Sequence, residues 1–159
     1  MEVTELAAGD AKAKLRRHYQ KLRREYNHAS VNRELQSQVE RLIAEFPKRP
    51  ICLYRAMADE ASLEFADVRS YYFPRVEGDE LSFFKPTSAA DFVKGHYGVL
   101  QPEGDHLLRL SMVPAPVVFC PALALDFEGR RLGMGKGFYD RFFAAHPEAL
   151  RIGVAFHVQ

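Results

Sequence analysis

Residues 117–141 read VVFCPALALDFEGRRLGMGKGFYDR. The run 117–120 is apolar without interruption, the composition of a strand buried on both faces. A glycine-rich loop at 129–137 follows, and from 138 to about 145 the sequence reads as helix. Strand, loop and helix in that order form the repeating unit of a parallel sheet. Upstream, 51–54 is a second short apolar run fit for a buried strand, followed by a loop at 56–60. Downstream, 152–156 reads as the last strand. The chain is therefore expected to be an α/β domain spanning 1–159, with a largely parallel open sheet flanked by helices.

The N-terminal third is organised differently. Between Lys12 and Arg24 lie seven basic residues and no acidic one. Leu15, Tyr19, Leu22 and Tyr26 recur at helical spacing and mark the apolar stripe of an amphipathic helix with one strongly positive face. Asp10 is its expected N-cap. Asn27 and His28 break the pattern. Ser30 then caps a second helix carrying Leu35, Val39, Leu42 and Phe46, stopped by Pro47. In the middle of the chain, 62–69 reads as a brief helical stretch. Residues 71–76 read as a strand that Pro74 assigns to an edge. Gly78-Asp79 turns the chain into a strand at 81–84, and 88–105 reads as a connecting loop with a short helical turn.

Composition excludes several classes. With 159 residues, 47% hydrophobic content and a formal net charge of +1, the chain can build a core, and no global charge draws it to nucleic acid or a membrane surface. No apolar run approaches the ~18–20 residues that span a bilayer, and the first residues lack a secretion signal. Cys52 and Cys120 sit inside apolar runs, as buried thiols of a reducing compartment do. The expectation is a cytoplasmic protein with no membrane and no nucleic-acid partner.

The chemistry concentrates in the loop. Gly133, Gly135 and Gly137 on alternate positions let backbone amides approach a phosphate, and Lys136 adds a point charge between two of them. A helix starting near Phe138 turns its positive end to the same place. Asp140, in its first turn, suits a divalent cation held against phosphate oxygens. Neither the P-loop nor the dinucleotide fingerprint fits, so on spacing alone a plain structural turn stays open. Lys12 and Arg16, four residues apart, share a helix face and can reach one anion. Tyr19 and Tyr26 fall on the apolar stripe, which favours packing over stacking on bases. Asp59 and Glu60 lie at the C-terminal end of the first strand, where open α/β sheets bind ligands; loop solvation is the alternative.

These pieces together resemble the 5-formyltetrahydrofolate cyclo-ligase family, also called methenyltetrahydrofolate synthetases. The family signature is a strand ending in Pro, an aspartate, a Gly-x-Arg-Leu-Gly-x-Gly-x-Gly-aromatic-Tyr-Asp loop, and a helix. Asp126, Gly129, Arg131, Leu132, Gly133, Gly135, Gly137, Phe138, Tyr139 and Asp140 match it. Lys12, Leu15 and Arg16, then Asp59-Glu60, Phe73-Pro74-Arg75 and Gln101-Pro102 match in family order.

The resemblance implies a monomeric ligase that takes 5-formyltetrahydrofolate and MgATP to 5,10-methenyltetrahydrofolate, ADP and phosphate. It implies that Lys12 and Arg16 hold ATP phosphates. Arg131, Leu132, Gly133, Met134, Gly135, Lys136, Gly137, Phe138 and Tyr139 would wrap the nucleotide. Within that loop, Met134 to Phe138 would also contact the folate. Lys136 and Arg131 would be catalytic, with Lys136 nearest the transferred phosphoryl. Glu60 would anchor the pterin with Arg55 beside it, and Asp140 would hold Mg²⁺. Two departures stand out: the span from Glu60 to Pro74 is shorter than usual, and Met134 stands where Arg or Tyr is common. Family members also continue past the position of Gln159, with a second acidic metal ligand. The alternative reading is a folate- or nucleotide-binding module with impaired catalysis.

Overall fold

The computed structural model describes residues 2–26, 29–95 and 97–159, with 2–8 as backbone alone. Two helices, α1 (Glu2–Tyr26) and α2 (Ala29–Ala44), open the chain as a hairpin. After β1 (Ile51–Cys52) come the hairpin strands β2 (Phe73–Glu77) and β3 (Glu80–Lys85). Three short strands follow, β4 (Phe92–Lys94), β5 (Leu100–Pro102) and β6 (Leu108–Arg109). The C-terminal part holds β7 (Val117–Pro121), β8 (Ala124–Leu125), β9 (Arg131–Leu132), α3 (Phe138–Ala145) and β10 (Leu150–Val154).

The centre is a parallel sheet in the order β1-β7-β10, with Ile51 and Leu150 both in register with Val117. Alternation along β7 divides the core. Val117 and Phe119 join Val39 of α2, Leu53 and Phe73 on one side. Val118 and Cys120 join Phe83 of β3 and Phe142 and Phe143 of α3 on the other. Val117 to Cys120, four of the five β7 residues, are fully buried, as coverage on both faces requires, and this is why the run carries no polar alternation. Beside this sheet, β2, β3 and β6 pair antiparallel. Gly78, at φ +64°, makes the β2–β3 turn, and Pro74 sits on the edge strand that its missing N–H permits. Cys52 and Cys120 are buried free thiols. Among the described residues no helix is long and apolar enough to cross a membrane.

Five local expectations are corrected. Helix α1 begins at Glu2, so Asp10 lies inside it and caps nothing; the Glu-, Leu- and Ala-rich residues before it favour helix. Ser30 falls in the first turn of α2, not at its cap, and the expected break at Asn27 and His28 lies outside the described residues. The stretch 62–69 is irregular up to one 3-10 turn at Val68–Ser70, capped by the Asp67 side chain. Side chains of α2 take up its backbone donors: the Ser62 amide donates to Asn32 Oδ1 at 3.0 Å and the Glu64 amide to Gln36 Oε1 at 2.9 Å. The segment 88–105 holds a capped 3-10 turn (Ala89–Asp91) and the β4–β5 hairpin; strands of three residues are too short to show alternation. The last strand also starts two residues earlier than expected, and Phe156 is buried beyond its end.

Candidate active site

The inward face of α1 is cationic. Leu15, expected on the buried stripe, is 47% exposed, whereas Arg23 is 2% exposed. Lys12, Arg16 and Arg23, at spacings of four and seven, border a cleft of about 500 Å³. The surface beneath the helix explains the rotation, because it offers oxygens. Arg16 Nε donates to the Gly133 carbonyl at 3.0 Å, and Arg23 Nη2 donates to Asp59 Oδ1 at 3.0 Å. Tyr26 keeps its place on the stripe, packing against the core with its hydroxyl 2.9 Å from His157 Nδ1. Lys14, Arg17, Lys21 and Arg24 remain exposed on the outer side.

Facing α1 is the glycine loop. Arg131 anchors its entry: Nη1 donates to the Pro121 carbonyl at 2.9 Å, Nη2 to Asp140 Oδ1 at 3.0 Å, and the guanidinium lies 5.3 Å from the Tyr139 ring centroid. Gly135, at φ +98°, has the Arg16 guanidinium carbon 3.2 Å from where a Cβ would stand. Gly137, at φ +72°, is the N-cap of α3 in the left-handed region, where only glycine sits without strain. Arg141 of α3 locks the loop's exit by donating to the carbonyls of Lys136 (3.1 Å) and Asp79 (2.9 Å). Lys136 is exposed at the rim, its ammonium 5.3 Å from the ring centroid of Tyr97, which in turn packs against Phe138. Converging cations, a left-handed glycine turn and a helix N-terminus make this wall suited to a polyanion.

The cleft wall also holds a buried carboxylate. Glu60 is buried; its Oε2 accepts from the Met57 amide at 2.9 Å, and its Oε1 lies 3.6 Å from Arg23 Nη1. Burial pushes the Glu60 carboxyl above the usual carboxylate range, against the lowering effects of the Met57 amide and Arg23. Beneath it, the Tyr54 hydroxyl donates to the Ala61 carbonyl at 2.6 Å. Arg55 lies 4.2 Å from the ring centroid of Phe92 and 5.0 Å from that of Phe73. Burial draws its pKa below the ordinary guanidinium value. The structure thus brings together at one cleft Lys12 and Arg16, Arg55 and Glu60, and the whole loop from Arg131 to Asp140.

A sequence description of the 5-formyltetrahydrofolate cyclo-ligase family matches residues 8–159. The chain belongs to this family. Over 49 residues it is 43% identical to a 5-formyltetrahydrofolate cyclo-ligase of Mycolicibacterium smegmatis, and over 68 residues 31% identical to one of Haemophilus influenzae. Those stretches are 31% and 42% of this chain and cover 25% and 36% of the two proteins. The fold is similar to the solution structure of Aquifex aeolicus 5,10-methenyltetrahydrofolate synthetase, with a TM-score of 0.74 at 26% identity over 93% of this chain and 79% of that one. A Mycoplasma pneumoniae 5,10-methenyltetrahydrofolate synthetase shares the fold at a TM-score of 0.67 and 16% identity, over 91% and 84% of the chains.

For a metal, this cyclo-ligase family member offers Asp140, whose side chain is 68% exposed at the start of α3 and bound through one oxygen to Arg131. No group of three or more His, Cys, Asp or Glu side chains able to hold a metal is found among the described residues. A single carboxylate does not cage an ion, but it fits an Mg²⁺ that arrives with phosphate and keeps water ligands. Sequence reasoning missed Arg23, Tyr54 and Tyr97 on the cleft wall. Arg23 was legible as the next inward step, seven residues after Arg16. Tyr97 was not, because the hairpin that presents it read as loop. Gln101, matched only by position in the family order, also borders the cleft and lies 3.4 Å from the Val76 amide.

Proposed function

We propose that the protein is a 5-formyltetrahydrofolate cyclo-ligase, converting 5-formyltetrahydrofolate and MgATP to 5,10-methenyltetrahydrofolate, ADP and phosphate. One observation carries the reading beyond family membership. The Arg16 guanidinium lies against Gly135 and binds the Gly133 carbonyl, so the basic helix and the glycine loop form one wall, suited to an anion, of the cleft that Glu60 also lines.

In this reading Lys12 and Arg16 hold the ATP phosphates, and the backbone from Arg131 to Tyr139 wraps the nucleotide. Met134 to Phe138 reach across to the folate. Glu60 anchors the pterin, with Arg55 beside it. The formyl oxygen attacks the γ-phosphorus and ADP leaves. Nitrogen 10 then adds to the activated carbon, gives up its proton, and phosphate departs as the ring closes. Lys136 neutralises charge on the transferred phosphoryl, and Arg131, fixed by Pro121 and Asp140, keeps the loop aligned. Such help is electrostatic and positional, as phosphoryl transfer requires. Asp140 would hold Mg²⁺, which when bound supplies charge neutralisation on phosphate oxygens. The protein acts as a cytoplasmic monomer.

The test is direct. Purified protein given 5-formyltetrahydrofolate and MgATP is expected to form the methenyl product, followed by its absorbance, with one ADP released per product. Absence of product defeats the reading; tight binding of both ligands without turnover would leave the impaired binding module.

A further inference from the structure

Arg23 has no place in the reaction just described, yet its surroundings are unusual. Its side chain is 2% exposed, lies at the wall of the cleft, and meets two carboxylates: Nη2 is 3.0 Å from Asp59 and Nη1 is 3.6 Å from Glu60. Its Nε is buried without a hydrogen-bond partner among the described residues. For stability alone this is a poor arrangement. A buried ion pair with an unmet donor does no better than an apolar side chain of similar volume would. Its effect is geometric. The Met57 amide holds Glu60 Oε2, and Arg23 reaches Oε1 from a different element, so the carboxylate is held from two directions. Lys12 and Arg16 project into the same cleft from the same helix.

We propose that Arg23 is the positioning residue for Glu60: it fixes the carboxylate that receives the pterin, so that the helix bearing the nucleotide-facing cations also sets the folate-facing anion. This rests on the cyclo-ligase reading and on Glu60 as the pterin anchor. The rival is that Arg23 merely docks α1. The two differ in what its loss does. Undocking α1 disturbs Lys12 and Arg16 and weakens ATP as much as folate. Releasing Glu60 weakens folate selectively and alters the pH at which Glu60 ionises. Among the described residues, the groups that face Glu60 include Arg23 on α1, Asp59 beside it and Arg131 on the loop, with the Tyr54 and Tyr139 hydroxyls close by. Of the cations, Arg23 has the stronger effect in keeping the carboxylate ionised.

The experiment is steady-state kinetics on the full chain with Arg23→Met and Arg23→Lys, each substrate varied in turn across the acid range. For Arg23→Met the KM for 5-formyltetrahydrofolate is expected to rise at least about tenfold, with the acid limb of its kcat/KM moving up by about one pH unit. The KM for ATP is expected to change by less than about threefold. Arg23→Lys keeps the charge but cannot span both carboxylates, so its limb stays in place while the folate KM still rises. Equal rises in both KM values, or an unmoved limb in a folded Arg23→Met protein, overturn the proposal. Should Arg23→Met fail to fold, the lysine variant decides: a folate KM at the wild-type value, or an ATP KM raised equally, overturns it. A wild-type protein without turnover refutes the cyclo-ligase reading itself, before any variant is compared.

Discussion

Lys136 stands between glycines at φ +98° and +72°, and that backbone aims its ammonium along the cleft rim. If it neutralises the transferred phosphoryl, Lys136→Ala should lower kcat by roughly 10²–10³-fold while the melting temperature stays unchanged, since the side chain is exposed. Gly135→Ala acts through geometry. The left-handed φ strains any other residue, and the new Cβ meets the Arg16 guanidinium carbon at 3.2 Å. About 1–3 kcal/mol of strain should appear as weaker nucleotide binding by calorimetry. In the proposed reaction the pH dependence is expected to come from Glu60. Because burial raises its pKa, the carboxylate ionises later than in the unfolded chain, so its contribution to stability declines as pH rises through the range above the usual glutamate value. Folate binding runs the opposite way if it needs the ionised form, strengthening as pH rises through the same window. Glu60→Gln should remove that acid limb and weaken 5-formyltetrahydrofolate by at least about tenfold, a charge-assisted hydrogen bond being worth ~1.5–3 kcal/mol.

At the scale of elements, α3 links the core to the glycine loop. Its N-cap is Gly137, and its inner face is Phe142 and Phe143, both 7% exposed. The Phe142 ring meets Phe83 of β3 edge-on, centroids 5.0 Å apart. Phe142→Ala should cost about 3–5 kcal/mol in urea denaturation. Because the loop hangs from the helix it loosens, nucleotide affinity should fall as well. The helix at 138–145 was legible because it combines a sharp glycine start with an amphipathic pattern. The β4–β5 hairpin was not, since its pairing is settled by contacts between segments and not by its own alternation. The same is true of 62–69, whose amides are satisfied by Asn32 and Gln36 of a different element.

On the scale of the whole molecule, α1 is fastened to the body along its length by polar contacts: Arg16 to Gly133, Arg23 to Asp59, and Tyr26 to His157. A triphosphate bridging Lys12 and Arg16 to the glycine loop would tighten that fastening. MgATP at 100 times its Kd is expected to add about 2.7 kcal/mol, a rise in melting temperature on the order of 5–10 °C. Amide hydrogen exchange should slow in α1 and in 131–140 together; protection confined to the loop would mean that the helix does not hold the nucleotide.

Local order along the chain was enough to identify the α/β unit, its buried central strand, the glycine loop and the family, because each depends on neighbouring residues: unbroken apolarity, alternate glycines, a helix start. The rotation of α1 was beyond it. Hydrophobic spacing assigns Leu15 to the inside, but a helix turns the side that its support can satisfy, and the support here is the Gly133 carbonyl and the carboxylates of Asp59 and Glu60. Only the folded chain brings those oxygens, some 36 to 117 residues away in sequence, beneath a line of cations, and leaving the buried Glu60 carboxylate unpaired costs more than exposing one leucine.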